Sequence, residues 1–305
     1  MSKILKAGVI GAGVFGGYHA RKFAELDQAE FVGVFDPRQD AADELARTHG
    51  GRGFATLDAL LSSVDVVTVA TPADTHADLA LAALSAGKSV YVEKPVARDM
   101  EQGEAMVSLA TNLGLVLAVG HQERAVFRAM GLFSAPEKPL LMESVRKGTA
   151  STRNLDVSVV LDLMIHDLDL ALSLTTAEVL AVEAEGECVS NDTLDFCRAE
   201  ATFMDGFTAI FESSRVAEAR ERTMRLVYPS GTVEIDFIAR TFTNSTRFEL
   251  NRDFADSEGG RDPLGVSVTA FLEAVAHSDR RPLVTGREAL LALDLAMAVE
   301  HACGV

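Results

Sequence analysis

The chain has 305 residues, enough for two domains with separate cores, and its 48% hydrophobic and 24% charged content is that of an ordinary globular protein, not a disordered one. A net charge of −17 with no basic run to offset it excludes nucleic acid and anionic membrane surfaces as partners and leaves small molecules. Cys188, Cys197 and Cys303 form neither a CxxC pair nor a disulfide framework, so they read as buried thiols in a reducing cytoplasm, and no metal site is expected.

The opening MSKILKAGVIGAG runs directly into a strand without the charged, apolar and small-residue series of a secretory signal, and no apolar run reaches membrane-spanning length. Residues 4–20 read as strand, turn and helix. Gly11 supplies the tight turn, Gly13 lets bare backbone approach a pyrophosphate, and Gly16 lets the helix pack closely on the sheet. Val14 and Phe15 open that helix, whose N-terminal N–H groups and dipole favour the phosphates. A second apolar run, 31–35, ends in Asp36, 20 positions after Gly16, where a carboxylate accepts from the ribose 2′-OH. That pattern predicts NAD. NADP is the alternative, with Arg38 compensating the extra phosphate, and a strand-end turn in Asp36-Pro37 is the bland reading of the same carboxylate.

Helical spacing follows at 40–49 and 57–61, then a β-branched run at 65–70 of the kind buried on both faces of a parallel sheet. Thr71-Pro72 breaks it. A helix at 78–86 stops at Gly87, a strand at 89–92 runs into Glu93-Lys94-Pro95, and a helix at 100–113 leads through Gly114 to a strand at 115–119. This alternation specifies an α/β Rossmann domain, a doubly wound parallel sheet over residues 1–121. Past Gly120 the rhythm changes. Strand-like segments at 180–188, 195–216 and 224–237 are joined by tight turns such as Asp205-Gly206, with helices near 159–174, 267–277 and 287–301 and a polar stretch at 253–262 that reads as an exposed loop. Residues 122–305 are therefore expected to form an α+β domain with a large, mainly antiparallel open sheet for substrate binding and oligomerisation, its C-terminal helices packing back on the first domain.

The ordered series GAGVFGGYH, ATPADTH, AGKSVYVEKP, VGHQER and LDLMIHDLD resembles the Gfo/Idh/MocA oxidoreductases over nearly the whole chain. The most specific part is EKP on a strand after a GxGxxG domain, followed about seventy residues later by DxxxHD. The resemblance implies a nicotinamide cofactor, a polyol or sugar as the usual substrate, and a homodimer or homotetramer paired through the second-domain sheet.

Oxidising a secondary alcohol requires a hydride acceptor and a group that takes the hydroxyl proton. Lys94, at the carboxyl end of a parallel strand where ligands bind, can do proton work, and Glu93 and Pro95 orient it. His166 lies four residues after Asp162, so a helix brings both to one face, where the carboxylate orients the imidazole or binds a substrate hydroxyl. A surface lysine and a helix-face pair are the plain alternatives, which the resemblance outweighs. Thr71, Pro72 and His76 resemble the family's loop beside the cofactor. His121, Gln122, Glu123 and Arg124 end the last parallel strand; Arg124 is either a substrate-binding group or an ion-pair partner, and Lys147 is a weaker candidate. Asp167 contacts substrate or faces solvent, and His19 packs or caps the first helix. The chain departs from the family at Ala125, Val126 and Phe127, and again at Ser158, Val159 and Met164, where side chains larger than the family's glycines are expected to narrow or reshape the substrate wall. The reading is thus an NAD(P)-dependent dehydrogenase acting on a CH–OH group of a sugar or polyol. The alternatives are a non-sugar substrate, a cyclic diol or an imine, and a non-catalytic dinucleotide-binding sensor.

Overall fold

Short runs of β-branched residues with no polar alternation have to be covered on both sides, and helices between them supply the cover. In the computed structural model, which describes residues 4–150, 157–190 and 192–304, those runs are the strands of a parallel sheet. The Met-Ser-Lys that begins the N-terminal segment lies outside the described residues. The elements are β1 (Leu5–Ile10), α1 (Val14–Glu25), β2 (Ala29–Phe35), α2 (Gln39–Thr48), β3 (Arg52–Phe54), α3 (Leu57–Leu61), β4 (Val66–Val69), α4 (His76–Ser85), β5 (Ser89–Val92), α5 (Met100–Leu113) and β6 (Leu117–Val119). The six strands lie in the order β3-β2-β1-β4-β5-β6, all pairs parallel. The winding reverses between β1 and β4, the place where open α/β sheets bind ligands at their carboxyl ends. Every residue of β4 and β5 is buried. Strand β3 escaped the sequence reading because Arg-Gly-Phe is too short to show a period.

Local signals terminate the elements where they should. The Asp99 carboxylate accepts from Gln102 N at 2.8 Å and caps α5, while Gly114 ends the helix at φ 65°, a left-handed conformation that glycine adopts without a Cβ penalty.

The rest of the chain forms α6 (Glu123–Met130), β7 (Leu141–Lys147), a π-helical segment Val160–Met164 running into α7 (Ile165–Leu174), then β8 (Val179–Glu187), β9 (Phe196–Phe203), β10 (Thr208–Ser214), β11 (Glu221–Tyr228), β12 (Gly231–Asp236) and β13 (Thr241–Asn244), followed by α8 (Glu258–Arg261), α9 (Pro263–Ala276) and α10 (Gly286–Ala302). The second sheet has seven strands in the order β13-β12-β11-β7-β10-β9-β8. It is antiparallel except for β7 with β10, which run parallel. Period-two burial gives it one covered face, carrying Met142, Ser144 and Arg146 of β7 and Met224, Leu226 and Tyr228 of β11. The stretch 253–262 is not the exposed loop its polarity predicts. It contains a turn of 3-10 helix at Phe254–Asp256 and then α8, with Phe254 and Gly260 buried, because one aromatic and one bare backbone suffice to anchor so short a segment.

Two compact units result: Met1–Gln122 with Asp262–Leu290, and Glu123–Arg261 with Leu291–Val305. In the first, α9 contributes Val268, Phe271 and Leu272 to a core shared with Val9, Val34, Val66 and Tyr91. Burial of side chains of this size stabilises by about 1.5–3 kcal/mol each. Tyr91 takes its hydroxyl into that core, where Ser267 Oγ meets it at 2.9 Å. The cysteines correct one expectation. Cys188, just past the end of β8, is exposed, whereas Cys197 is buried 3.8 Å from Cys303 Sγ, with burial pushing its thiol well above the ordinary range. Among the described residues no helix is long and apolar enough to cross a membrane.

Candidate active site

The three glycines of the first turn do different work. A Cβ on Gly16 would lie 1.9 Å from Gly11 O, so only glycine lets α1 sit this close to the turn. Gly11, at φ 107°, would put a Cβ 2.5 Å from Ala70 O. A Cβ on Gly13 would meet nothing within 4 Å, and its φ of −82° suits any residue. The protein's own packing therefore gives no reason for glycine at position 13. An open space over the N-terminus of α1 is the cradle a dinucleotide pyrophosphate requires. Val14 and Phe15 flank it with half-exposed side chains.

Asp36 closes the turn from the side. Its Oδ2 accepts from Ala12 N at 2.8 Å and its Oδ1 from Arg38 N at 2.9 Å and Arg38 Nε at 3.1 Å. Burial alone would raise its pKa, but the Arg38 guanidinium and these backbone N–H groups hold the carboxyl below the usual range. Arg38 is thus turned onto Asp36.

The turns after β4 and β5 are tied together by His76. This buried ring places Nδ1 2.8 Å from Pro95 O and Nε2 2.9 Å from Thr71 O. Two carbonyl neighbours favour the imidazolium, yet burial prevails and pushes its pKa down; a neutral ring donates to one carbonyl only. His76 therefore clamps the Thr71-Pro72 loop to the Lys94-Pro95 turn, and its side chain is committed to the fold.

Glu93 is committed too. Its Oε1 lies 2.7 Å from His19 Nε2, Gln122 Nε2 donates to the same oxygen at 3.3 Å, and Thr68 Oγ1 stands 3.3 Å from His19 Nδ1. A Cβ on Gly120 would come within 2.7 Å of the Glu93 carboxylate, so bare backbone at the end of β6 is needed to seat it. His19 is a packing group, fully buried, that anchors the end of β5. Lys94 follows at that strand's carboxyl end, half-buried, with a cis Lys94-Pro95 peptide.

In the second unit, the spacing of Asp162 and His166 falls across the change from π-helix to α-helix, so the two are not the simple α-helical pair that four residues suggest. Ser158 organises the start of this segment: its Oγ donates to Glu300 Oε1 at 2.5 Å and accepts from Val160 N and Leu161 N at 3.2 Å each. Val159 and Met164 are fully buried.

The carboxylate at His166 Nδ1 is Glu123 Oε2, 2.8 Å away, from the first turn of α6. Sequence reasoning placed Glu123 near the site but missed this partnership. The available signal was an acidic residue opening the amphipathic run Glu-Arg-Ala-Val-Phe-Arg-Ala-Met. Burial opposes ionisation of Glu123, but the charges of His166 and Arg146 and the His166 hydrogen bond hold it well below the usual carboxylate range. Arg146, buried on the covered face of β7, donates to Glu123 Oε1 at 3.1 Å and to both oxygens of Asp167 at 2.9 Å. Asp167 is consequently not solvent-facing. Arg124 is likewise buried and bidentate on Asp169, at 2.8 and 2.7 Å, an ion pair within the second unit. Lys147 pairs with Glu212 at 2.7 Å.

Comparison with known proteins identifies the family. Residues 5–121 match the model of the oxidoreductase family with an NAD-binding Rossmann fold, and residues 136–234 match a GFO/IDH/MocA C-terminal domain. UDP-N-acetylglucosamine 3-dehydrogenase of Acidithiobacillus ferrooxidans is 36% identical, with 97% of each chain covered. A solved structure of that enzyme superposes with a TM-score of 0.89, covering 98% of this chain and 97% of the other at 34% identity. Inositol 2-dehydrogenase of Rhizobium meliloti is 30% identical over 70% of this chain and 69% of its own. The glycine turn, the Glu93-Lys94-Pro95 strand end and the Asp162/His166 segment thus stand in a chain that belongs to the Gfo/Idh/MocA family of oxidoreductases with an NAD-binding Rossmann fold.

Proposed function

We propose that the protein transfers hydride between NAD and a secondary alcohol carbon of a sugar, with the hydroxyl proton handled by Lys94 and His166. The observation that carries this reading is the approach of Glu123 Oε2 to His166 Nδ1, 2.8 Å, which favours Nε2 as the ring's position for proton exchange with substrate. When bound, the nicotinamide supplies the hydride-accepting carbon. Gly11, Gly13, Gly16 and the N-terminus of α1 hold the pyrophosphate, with Val14 and Phe15 beside it. The Thr71-Pro72 loop contributes backbone, while Glu93 and His76 act behind it by fixing Lys94. Asp162 binds a substrate hydroxyl or orients His166. Arg124 is left out of the substrate contacts because Asp169 engages it.

NAD is the preferred cofactor in this reading. Asp36 presents its carboxylate to the ribose 2′-OH, and Arg38 is folded onto it, away from the role of 2′-phosphate partner. The 36% identical relative makes UDP-N-acetylglucosamine the first substrate to test. The same reading takes the protein as a cytoplasmic homodimer or homotetramer joined through the second-domain sheet.

The experiment is NADH formation against a panel of nucleotide-linked sugars, free sugars, sugar phosphates and inositols, with NADP in parallel. Lys94→Ala and His166→Ala are each expected to lower turnover by about a hundred- to ten-thousand-fold while NADH still binds. Undiminished turnover in either variant removes that residue from the mechanism.

A further inference from the structure

Strand β11 pairs with β7 so that Arg222 stands directly opposite Arg146. Directly opposed residues project to the same face of a sheet, with Cβ atoms about 5 Å apart. Arg222 therefore shares the covered face on which Arg146 meets Glu123 and Asp167, with His166 on the other oxygen of Glu123. Arg220, two residues earlier and exposed, precedes the strand.

The charges around Arg222 are already matched to one another. Asp167 is taken up by both of its bonds to Arg146, and Glu123 by Arg146 on one oxygen and His166 on the other. Among the described residues no carboxylate forms an ion pair with Arg222. Burial and the neighbouring Arg146 charge push its guanidinium below arginine's ordinary value, with Arg220 adding to the push and Glu123 and Asp167 opposing it. In a chain carrying a net charge of −17, a partly buried arginine set against a second arginine is a position where an incoming anion relieves repulsion and gains charge-assisted hydrogen bonds.

We propose that Arg222, with Arg220 at its approach, is the subsite for an anionic group of the substrate, a phosphate or a carboxylate carried on the sugar. Arg146 holds the histidine side of the site through Glu123, while Arg222 fixes the substrate's charged end on the same face. The inference rests on the sugar-oxidation reading but is separable from it by a binding measurement that needs no turnover.

The test is calorimetric titration of the protein saturated with NADH, using UDP, glucose 6-phosphate, glucuronate and neutral glucose as probes. At least one anionic probe is expected to bind about tenfold or more tightly than glucose, and the phosphate and carboxylate arms tell the two sources apart. Arg222→Met abolishes that preference, Arg222→Lys retains part of it, and Arg225→Met, on the opposite face of β11 and paired with Glu143, leaves it unchanged. Arg222→Gln serves should the methionine variant fail to fold. The proposal is overturned if no anionic probe binds ahead of glucose, or if the preference survives in a folded variant lacking the Arg222 charge. Absent turnover with intact, Arg222-dependent anion binding would instead count against the oxidation reading alone.

Discussion

Replacing Gly13 by alanine separates a role in folding from a role in cofactor binding more cleanly than any other change in the first turn. The new Cβ meets nothing within 4 Å, and the backbone at φ −82°, ψ −169° is open to alanine, so the folded state bears no cost. The unfolded chain loses freedom, which favours the variant by about 0.4–1 kcal/mol. The methyl group nevertheless occupies the space through which phosphate oxygens reach the N–H groups of α1. Losing one charge-assisted hydrogen bond of about 1.5–3 kcal/mol weakens NADH binding by about 10- to 150-fold. NADH fluorescence titration alongside urea unfolding measures both quantities. Gly16→Ala is the contrasting control, since its Cβ would sit 1.9 Å from Gly11 O and must cost stability as well as affinity. An NADH affinity in Gly13→Ala within about twofold of the original would refute the assignment of this turn to the pyrophosphate.

Two further outcomes follow from the buried charges of the second unit. Arg146→Ala strands the Asp167 and Glu123 carboxylates and is expected to destabilise by about 3–5 kcal/mol in urea unfolding, whereas a loss under about 1 kcal/mol would mean that water replaces the guanidinium at no great cost. Glu123 has a depressed folded-state pKa, so its contribution is fully present above the ordinary glutamate value of 4.5 and is lost as pH falls from there through the folded value. Stability measured from neutral pH down into that range is expected to fall more steeply for the natural chain than for Glu123→Gln, and parallel curves would contradict the charge pairing.

The first sheet was legible because its grammar is local: glycine spacing, β-branched runs and helix stops all lie within a few residues of the feature they specify. Asp36 could be placed by counting from Gly16. What the sequence hid depends on contacts between distant segments. Glu123 and His166 are on different helices, and no periodicity joins them. His76 was expected beside the cofactor because its loop is, yet only the fold reveals that both ring nitrogens face backbone carbonyls. The sequence left Arg124 open between substrate and an ion pair, and Asp167 between substrate and solvent; their burial with bidentate partners is a three-dimensional property that no spacing shows. The π-helical turn at Val160–Met164 was likewise invisible, since its residues carry the same apolar spacing as an α-helix of that length.

The bond between Ser158 and Glu300 has a practical reach beyond its two residues. Glu300 belongs to the last turns of α10, and Ser158 caps the segment that presents Asp162 and His166. Trimming the tail of α10 or attaching a purification handle there therefore acts on a carboxylate that holds the start of the segment carrying Asp162 and His166.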